Sequence, residues 1–432
     1  MIGLIKKILN KEKNSSPFFQ KFQTLKEKTK VDKIFKSITD SSENNEVRYV
    51  GGCIRKILNK EEVDDIDLAT NIEPSKVLEI LKKNNINFYE SGIEHGTVTV
   101  KIDNFTFEIT SLRKDISTDG RHAKVQFSDN WYEDASRRDF TFNSIYADLN
   151  GNLHDPFNGK KDLENGEVKF IGDAETRIKE DYLRILRYIR FFLNYSKNDH
   201  NDEIQKIIRQ NINGVAQISS DRLLNELKKL FSSSSFLKLP KEKFCLEIIN
   251  LIFPQLKKIL IFKNLKSHAK EIIKSNDFIF LISLMIIDET DNSEYFLYKF
   301  NISNEDKKRI RFLNNIFSKP LDKNFFLEKN LWKILYFHGN QHLNDLINFQ
   351  IVKSKKLDKK MIKIKKFFNN QTVPKFNIKA KDLMEKFNIK EGKELGQKLK
   401  EIEMFWIDNS FKITDKQIEK IIKTKYILRQ LF

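Results

Sequence analysis

GGCIRK, Gly51 to Lys56, followed by DDIDLAT, Asp64 to Thr70, is the stretch that decides how this chain is read. Two glycines let a backbone approach something closely, and an arginine, Arg55, follows them. About ten residues later two carboxylates, Asp65 and Asp67, stand one residue apart. In an extended strand residues i and i+2 share a face, so Asp65 and Asp67 point together and Ile66 points away. Like charges that close are costly unless a cation lies between them. Paired carboxylates beside a glycine turn therefore suggest a site for Mg²⁺ and a triphosphate. Taken alone, the same pattern also describes a solvated strand end.

Working outward, the chain has 432 residues, room for two to four domains. Lysine and arginine number 78 against 60 aspartates and glutamates, a net charge of +18. That excess favours a polyanionic partner, nucleic acid first, although a bias toward Lys, Asn, Ile and Phe raises charge without any function. Cys53 and Cys245 are too few for a disulfide framework or a zinc finger and fit a reducing cytoplasm. No run of eighteen apolar residues lacks charge, so no membrane span is expected. The opening MIGLIKKILNKEKNSS lacks the long apolar run and small-residue cleavage site of a secretory signal.

The first 170 or so residues mix strand and helix periods. Val47–Val50, Thr97–Ile102 and Phe105–Thr110 alternate as strands, the last two as a hairpin turning at Asp103-Asn104. Leu25–Ile38 and Pro74–Lys83 carry helical spacing, with Pro74 suited to a first turn. Beyond about Ala174 strand signals nearly vanish, and Glu175–Tyr195, Ser220–Phe231 and Lys393–Ile407 have a period of 3.6. The expectation is an α+β chain: an α/β head, then a long all-α portion. No internal repeat is evident.

Two more constellations carry chemistry. In ASRRDFTFNSIYAD, Ala135 to Asp148, Arg137, Arg138 and Asp139 open an apolar segment. Such a group suits a phosphate and a ribose hydroxyl, and equally a salt-bridged helix end. In ETRIKEDYLRILRYIRF, Glu175 to Phe191, a continuous helix places Arg177, Asp181 and Arg184 on one stripe, with Glu180 and Arg187 at its edges. That stripe reads either as an ion-paired surface or as a base reader. The Watson–Crick edges of cytosine and adenine offer an amino donor beside an acceptor nitrogen; guanine and uracil present the reverse. One aspartate and one arginine can then accept C and A and leave buried polar groups unpaired against G and U.

These motifs, in this order, resemble the class II tRNA nucleotidyltransferases, the CCA-adding enzymes, and their bacterial poly(A) polymerase relatives. GGCIR…DIDLAT looks like the family's catalytic motif and RRDFTFN like its ribose-contacting motif. DPFNGKKDL, Asp155 to Leu163, looks like the hinge after the head. EDYLRILRYIRF looks like the nucleobase-template helix, and SSDRLLNEL, Ser219 to Leu227, like the motif that braces it. The resemblance spans roughly Tyr49–Leu230 and returns at Lys379–Ile407, which looks like an RNA-contacting tail.

The resemblance implies a polymerase-beta-like mixed sheet in the head, then a helical neck, body and tail. The expected boundaries are 1–22 for an N-terminal extension, 23–172 for the head, 173–235 for the neck, 236–350 for the body and 351–432 for the tail. Asp65 and Asp67 would bind two Mg²⁺, with Glu108 of FEITSLR a candidate third carboxylate or a plain strand-edge glutamate. Gly51, Gly52 and Arg55 would hold the triphosphate. Arg138, Asp139 and Asn143 would hold the ribose and phosphates. Asp181 and Arg184 would read the base, with Glu180 steering Arg184 and Arg187 nearby. The substrates would be CTP, ATP and the tRNA 3′ end, with no protein partner evident.

Two departures stand out. The family usually follows the first arginine with aspartate, where this chain has Lys56. A loop glycine is replaced within Leu58-Asn59-Lys60, and Asn59 is expected to absorb the left-handed turn. SGIEHGTVTV, Ser91 to Val100, resembles the CCA-adding enzymes, whereas poly(A) polymerases tend to carry an arginine-rich segment near there. Leu112 to Asp134 reads as a flexible loop; in the family it resembles, a loop here takes part in the switch from C to A and CC-only enzymes lack a working version, so its length with Arg113, Asp115 and Arg121 implies full CCA addition, while poly(A), CC-only and A-only enzymes remain alternatives; His122 there reads as solvated. Lys353–Lys366 is a candidate RNA grip or a solvated helix face, and Gly392 and Gly396 flank an expected helix start. An RNA-binding protein with an inactive head and a small-molecule nucleotidyltransferase stand as alternatives.

Overall fold

The computed structural model describes residues 17–90, 92–118, 123–354, 359–409 and 411–423. The expected N-terminal extension lies largely outside the described residues, as do Ser91, Gly120, Arg121, His122 and the middle of the Lys353–Lys366 run. The chain divides into two compact units, one ending at Ile252 and one beginning at Phe253.

The first unit holds the mixed sheet. Its strands are β1 (Val47–Val50), β2 (Ile66–Thr70), β3 (Asn87–Tyr89), β4 (Thr97–Ile102), β5 (Phe105–Ser111), β8 (Tyr146–Ala147) and β9 (Leu153–His154), in the order β3-β4-β5-β2-β1-β8-β9. Only the β2–β5 pair is parallel; β1–β2, β1–β8 and β4–β5 are antiparallel. Alternation explains the strands: Val98, Val100 and Ile102 of β4 are buried while their neighbours are not. The hairpin turns at Asp103-Asn104 as expected, with Asp103 at φ 52°.

Helices α1 (Pro17–Thr29) and α2 (Asp32–Thr39) correct the single helix expected over Leu25–Ile38. Lys30, at φ 55°, breaks it, and the break seats Phe22 and Phe35 on either side of the buried Tyr49 ring. Helix α3 (Gly52–Leu58) follows β1 directly and α4 (Pro74–Lys83) follows β2, with Pro74 in its first turn. Where a flexible loop is expected over Leu112–Asp134, the described residues pair as β6 (Arg113–Thr118) against β7 (Ala123–Phe127), followed by α5 (Trp131–Ser136). Phe127 fixes it: a Cβ on Gly96 would lie 2.8 Å from that ring.

Helix α6 (Gly159–Asn165) begins within DPFNGKKDL. The Asp155 carboxylate accepts its Gly159 and Lys160 amides, and Gly159 packs so close that a Cβ would meet the Thr141 carbonyl. The continuous helix expected over Glu175–Tyr195 is two, α7 (Ala174–Glu180) and α8 (Leu183–Tyr195). Asp181, at φ −155° and ψ 103°, is extended, and the Tyr182 ring lies over Gly214 where no side chain fits. Helices α9 (Asp202–Asn211), α10 (Ser220–Phe231) and α11 (Lys243–Ile252) complete the unit.

Every helix or strand described in the second unit is helical, as the loss of strand signals predicts. Phe278–Ile286 is its centre, buried from Ile279 to Ile286. Arg309, itself buried, joins Asp345 to Asp277 at the N-terminus of that helix. The C-terminal helices close over Leu383, Leu395, Ile402 and Ile418. Gly392 caps the helix Lys393–Asp408 and Gly396 lies inside it. Among the described residues no helix is long and apolar enough to cross a membrane.

Candidate active site

A cleft of about 890 Å³ opens in the first unit. Its walls bring together Gly51, Gly52, Arg55, Asp65, Asp67, Arg138, Asp139, Asn143, Glu180, Asp181, Arg184 and Arg187. Of the site residues expected from sequence, Glu108 alone is not in the lining.

The carboxylates sit at the start of β2. Asp67 is directly registered with Glu108 on the parallel strand β5, so the two side chains share a face of the sheet. Burial, then Asp65, then Glu108 push the Asp67 carboxyl up to about 6, while Arg138 and Lys229 pull the other way. A group of like charges that raises its own pKa suits a divalent cation, which would relieve the repulsion. Among the described residues no cluster of three or more His, Cys, Asp or Glu side chains converges on one point. Asp65 and Asp67 could hold a metal, and Glu108 adds negative charge beside Asp67.

Gly51 adopts φ 68°, a conformation glycine takes without strain. A Cβ there would stand 3.6 Å from the Asn143 carbonyl and 3.7 Å from Arg138 Nη1. The glycine turn thus lies beside Arg138 and Asn143. Arg55, one turn into α3, donates to Asn143 Oδ1 and, over 3.2 Å, to the Tyr195 hydroxyl, with its guanidinium 4.7 Å from the Phe191 ring centre. Asn143 Nδ2 donates to Asp139 Oδ1 over 2.8 Å, and Arg187 Nη2 lies 2.9 Å from Asp139 Oδ2. Burial alone would raise the Asp139 carboxyl; Arg187 and Asn143 outweigh it and hold it low. A continuous chain of polar contacts therefore runs from α8 through Asp139 and Asn143 to Arg55 and back to α8 at Tyr195.

Arg138 is anchored by a residue sequence reasoning did not single out. Asp134, 1% exposed, accepts two N–H groups from Arg137, two from Arg138 and the Tyr146 hydroxyl. Burial would raise its carboxyl, but Arg138 and Arg137 override that and keep it well below the usual range. The signal was present: Asp134, Arg137 and Arg138 stand at i, i+3 and i+4.

The break at Asp181 undoes the stripe expected of one straight helix, yet Glu180, Asp181, Arg184 and Arg187 still line one cleft. Arg184 Nη1 donates to Glu180 Oε2 and to the Arg177 carbonyl, each over 2.6 Å. Asp181 Oδ2 accepts from Arg222 Nη2 over 2.7 Å, and Asp181 Oδ1 accepts the Leu183 amide over 3.1 Å. Arg222 belongs to SSDRLLNEL, on α10, which also supplies Glu226 to Arg190 over 2.5 Å. Asp181 and Arg184 are thus each held by a partner that fixes its direction.

At the two departures, Lys56 pairs with Asp64, next to Asp65. The left-handed residue is Lys60, at φ 59°, and not Asn59, at φ −83°. The end of α3 closes as a Schellman motif, Glu61 N to Lys56 O and Lys60 N to Ile57 O, and that motif puts the left-handed residue one past the cap.

Residues 47–169 match the family described as the poly A polymerase head domain. The mitochondrial CCA tRNA nucleotidyltransferase 1 of Mus musculus is 41% identical over 234 residues, 53% of this chain and 52% of that protein. The CCA-adding enzyme of Oceanobacillus iheyensis is 38% identical over 187 residues, 42% of this chain and 45% of its own. The chain thus spans about half the length of the curated relatives it matches. Among solved structures, the Bacillus stearothermophilus CCA-adding enzyme in complex with CTP aligns over 90% of this chain and 95% of its own, with a TM-score of 0.66 and 20% identity. The Thermotoga maritima CCA-adding enzyme complexed with tRNA aligns over 91% and 94%, with a TM-score of 0.59 and 19% identity. At such identities the likeness is one of fold, and it extends through both units.

Proposed function

We propose that this chain adds C, C and A to the 3′ end of tRNA from CTP and ATP, without a nucleic-acid template and with release of pyrophosphate. The observation that carries the reading is the sharing of one cleft by the Asp65–Asp67 pair, the Arg138–Asp139 motif and the Asp181–Arg184 pair. A small-molecule nucleotidyltransferase needs the first but has no use for a base reader on a helix.

Asp65 and Asp67 would hold two Mg²⁺, which when bound supply Lewis acidity to the attacking 3′-hydroxyl and neutralise triphosphate charge. Gly51 and Gly52 leave the cleft wall bare of side chains where the triphosphate lies. Arg55 and Arg138 add fixed positive charge beside it, each held by a protein acceptor and so costing little reorganisation when the nucleotide arrives. Asp139 and Asn143 set the ribose against these arginines. Arg184, steered by Glu180, donates to the acceptor nitrogen of C or A, and Asp181, steered by Arg222, accepts from its amino group. Guanine or uracil would face like against like at both positions.

The ribbon β6–β7 supports full CCA addition, because its first residue, Arg113, lines the cleft. The helices beyond residue 172 would serve as neck, body and RNA-binding tail, with the lysine excess meeting phosphates. Two buried free cysteines suit a reducing compartment such as the cytoplasm. The test of the site is incorporation of labelled CMP into tRNA lacking its CCA end. Asp65→Ala and Asp67→Ala should each abolish it while the protein stays folded; retained incorporation in either would displace the active site from β2.

A further inference from the structure

Every arginine in the cleft, and Lys56, has a hydrogen-bond acceptor or an ion-pair partner on the protein. Lys229 lines the same cleft, is exposed, and among the described residues its ammonium has none. Its position on α10 is set by neighbours on the same helical face. Arg222, Glu226 and Lys229 stand at i, i+4 and i+7. The first holds Asp181 and the second holds Arg190. Just past the helix, Ser233 Oγ donates to Asn194 Oδ1 over 2.7 Å. Helices α8 and α10 therefore run side by side in the same direction, and Lys229 falls between the levels of Arg190 and Asn194. That is the end of the cleft where Arg55 meets Tyr195, far from the base-reading pair at Asp181. The lysine also acts electrostatically on Asp67.

We propose that Lys229 is a further phosphate-binding residue of this cleft, contacting the β- and γ-phosphates of the incoming nucleotide and the pyrophosphate that leaves. As the 3′-hydroxyl oxygen bonds to the α-phosphorus and gives up its proton to water, the bond from that phosphorus to the bridging oxygen breaks and its electron pair passes to pyrophosphate. An unpaired ammonium at that end offsets the charge. The inference rests on the functional reading above.

The test compares CTP with CMP, each titrated in the presence of Mg²⁺ and without RNA, on the full chain and on Lys229→Met. Loss of one charged hydrogen bond should weaken CTP binding about tenfold. CMP, which lacks the β- and γ-phosphates, should bind as before, and Lys229→Arg should recover most of the CTP affinity. Unchanged CTP affinity in Lys229→Met, or equal losses for CTP and CMP, would overturn the assignment. A parallel titration with tRNA alone covers the other source of phosphate: weakened tRNA binding beside intact CTP binding would hand the lysine to the RNA backbone and overturn it too. Failure of the unaltered chain to bind CTP at all would instead sink the functional reading itself.

Discussion

Replacing Asp134 by alanine should damage both the stability of the head and its grip on nucleotide. The side chain is 1% exposed and accepts from Arg137, Arg138 and the Tyr146 hydroxyl at 2.6–3.1 Å. Removing one partner of a buried ion pair leaves the other charge uncompensated, at a cost of about 3–5 kcal/mol. For a unit of this size that corresponds to a fall in Tm of roughly 6–20 °C. Arg138 would also lose the anchor that aims it at Gly51, so KM for CTP should rise. Calorimetry reads the first effect, in the transition that CTP shifts in the unaltered protein, and initial-rate kinetics read the second. A Tm change under about 2 °C, with KM unmoved, would show that Asp134 is a bystander and that Arg138 is held by something else.

Asp181→Ala or Arg184→Ala should relax the choice of base and leave phosphoryl transfer in place, with G or U entering at a measurable rate; unchanged preference for C and A in single-nucleotide assays would refute the template role. His200 donates to or accepts from Tyr188 and lies 3.4 Å from Cys245 Sγ, and burial pushes its imidazole down to about 4. A depressed histidine is protonated first in the unfolded chain, so stability present above pH 6.5 should drain away as the pH falls toward 4. Urea midpoints of His200→Gln should therefore fall less steeply with acid than those of the unaltered chain. Lys60→Gly should raise stability by about 0.5–1 kcal/mol by removing a side chain from a left-handed position, measured as a higher urea midpoint; a lower midpoint would mean that the Lys60 side chain contributes more than its backbone costs.

Strand alternation in Thr97–Ile102, the hairpin at Asp103-Asn104 and the proline-led helix at Pro74 were legible because each is a local pattern. The cleft was legible because its residues cluster in short motifs. What was not legible is tertiary. Nothing local to Leu25–Ile38 says that Lys30 must turn left-handed so that Phe22 and Phe35 can flank Tyr49. The helix period through Glu175–Tyr195 is unbroken, and it takes Gly214, some thirty residues on, to make room for Tyr182 and the break before it. The polar Leu112–Asp134 segment looked like a loop because its anchor, the contact of Phe127 with Gly96, is remote. Asp134 was readable at helical spacing from Arg137 and Arg138, but only burial shows that both arginines depend on it.

The central claim is that this one cleft builds a defined trinucleotide. It is tested most directly by extending a tRNA that lacks its CCA end, with CTP and ATP supplied singly and together, and resolving products at single-nucleotide length. The account predicts two additions with CTP alone, a third that requires ATP, and then a stop. A long adenylate tract, or a halt after two cytidylates with ATP present, would contradict it.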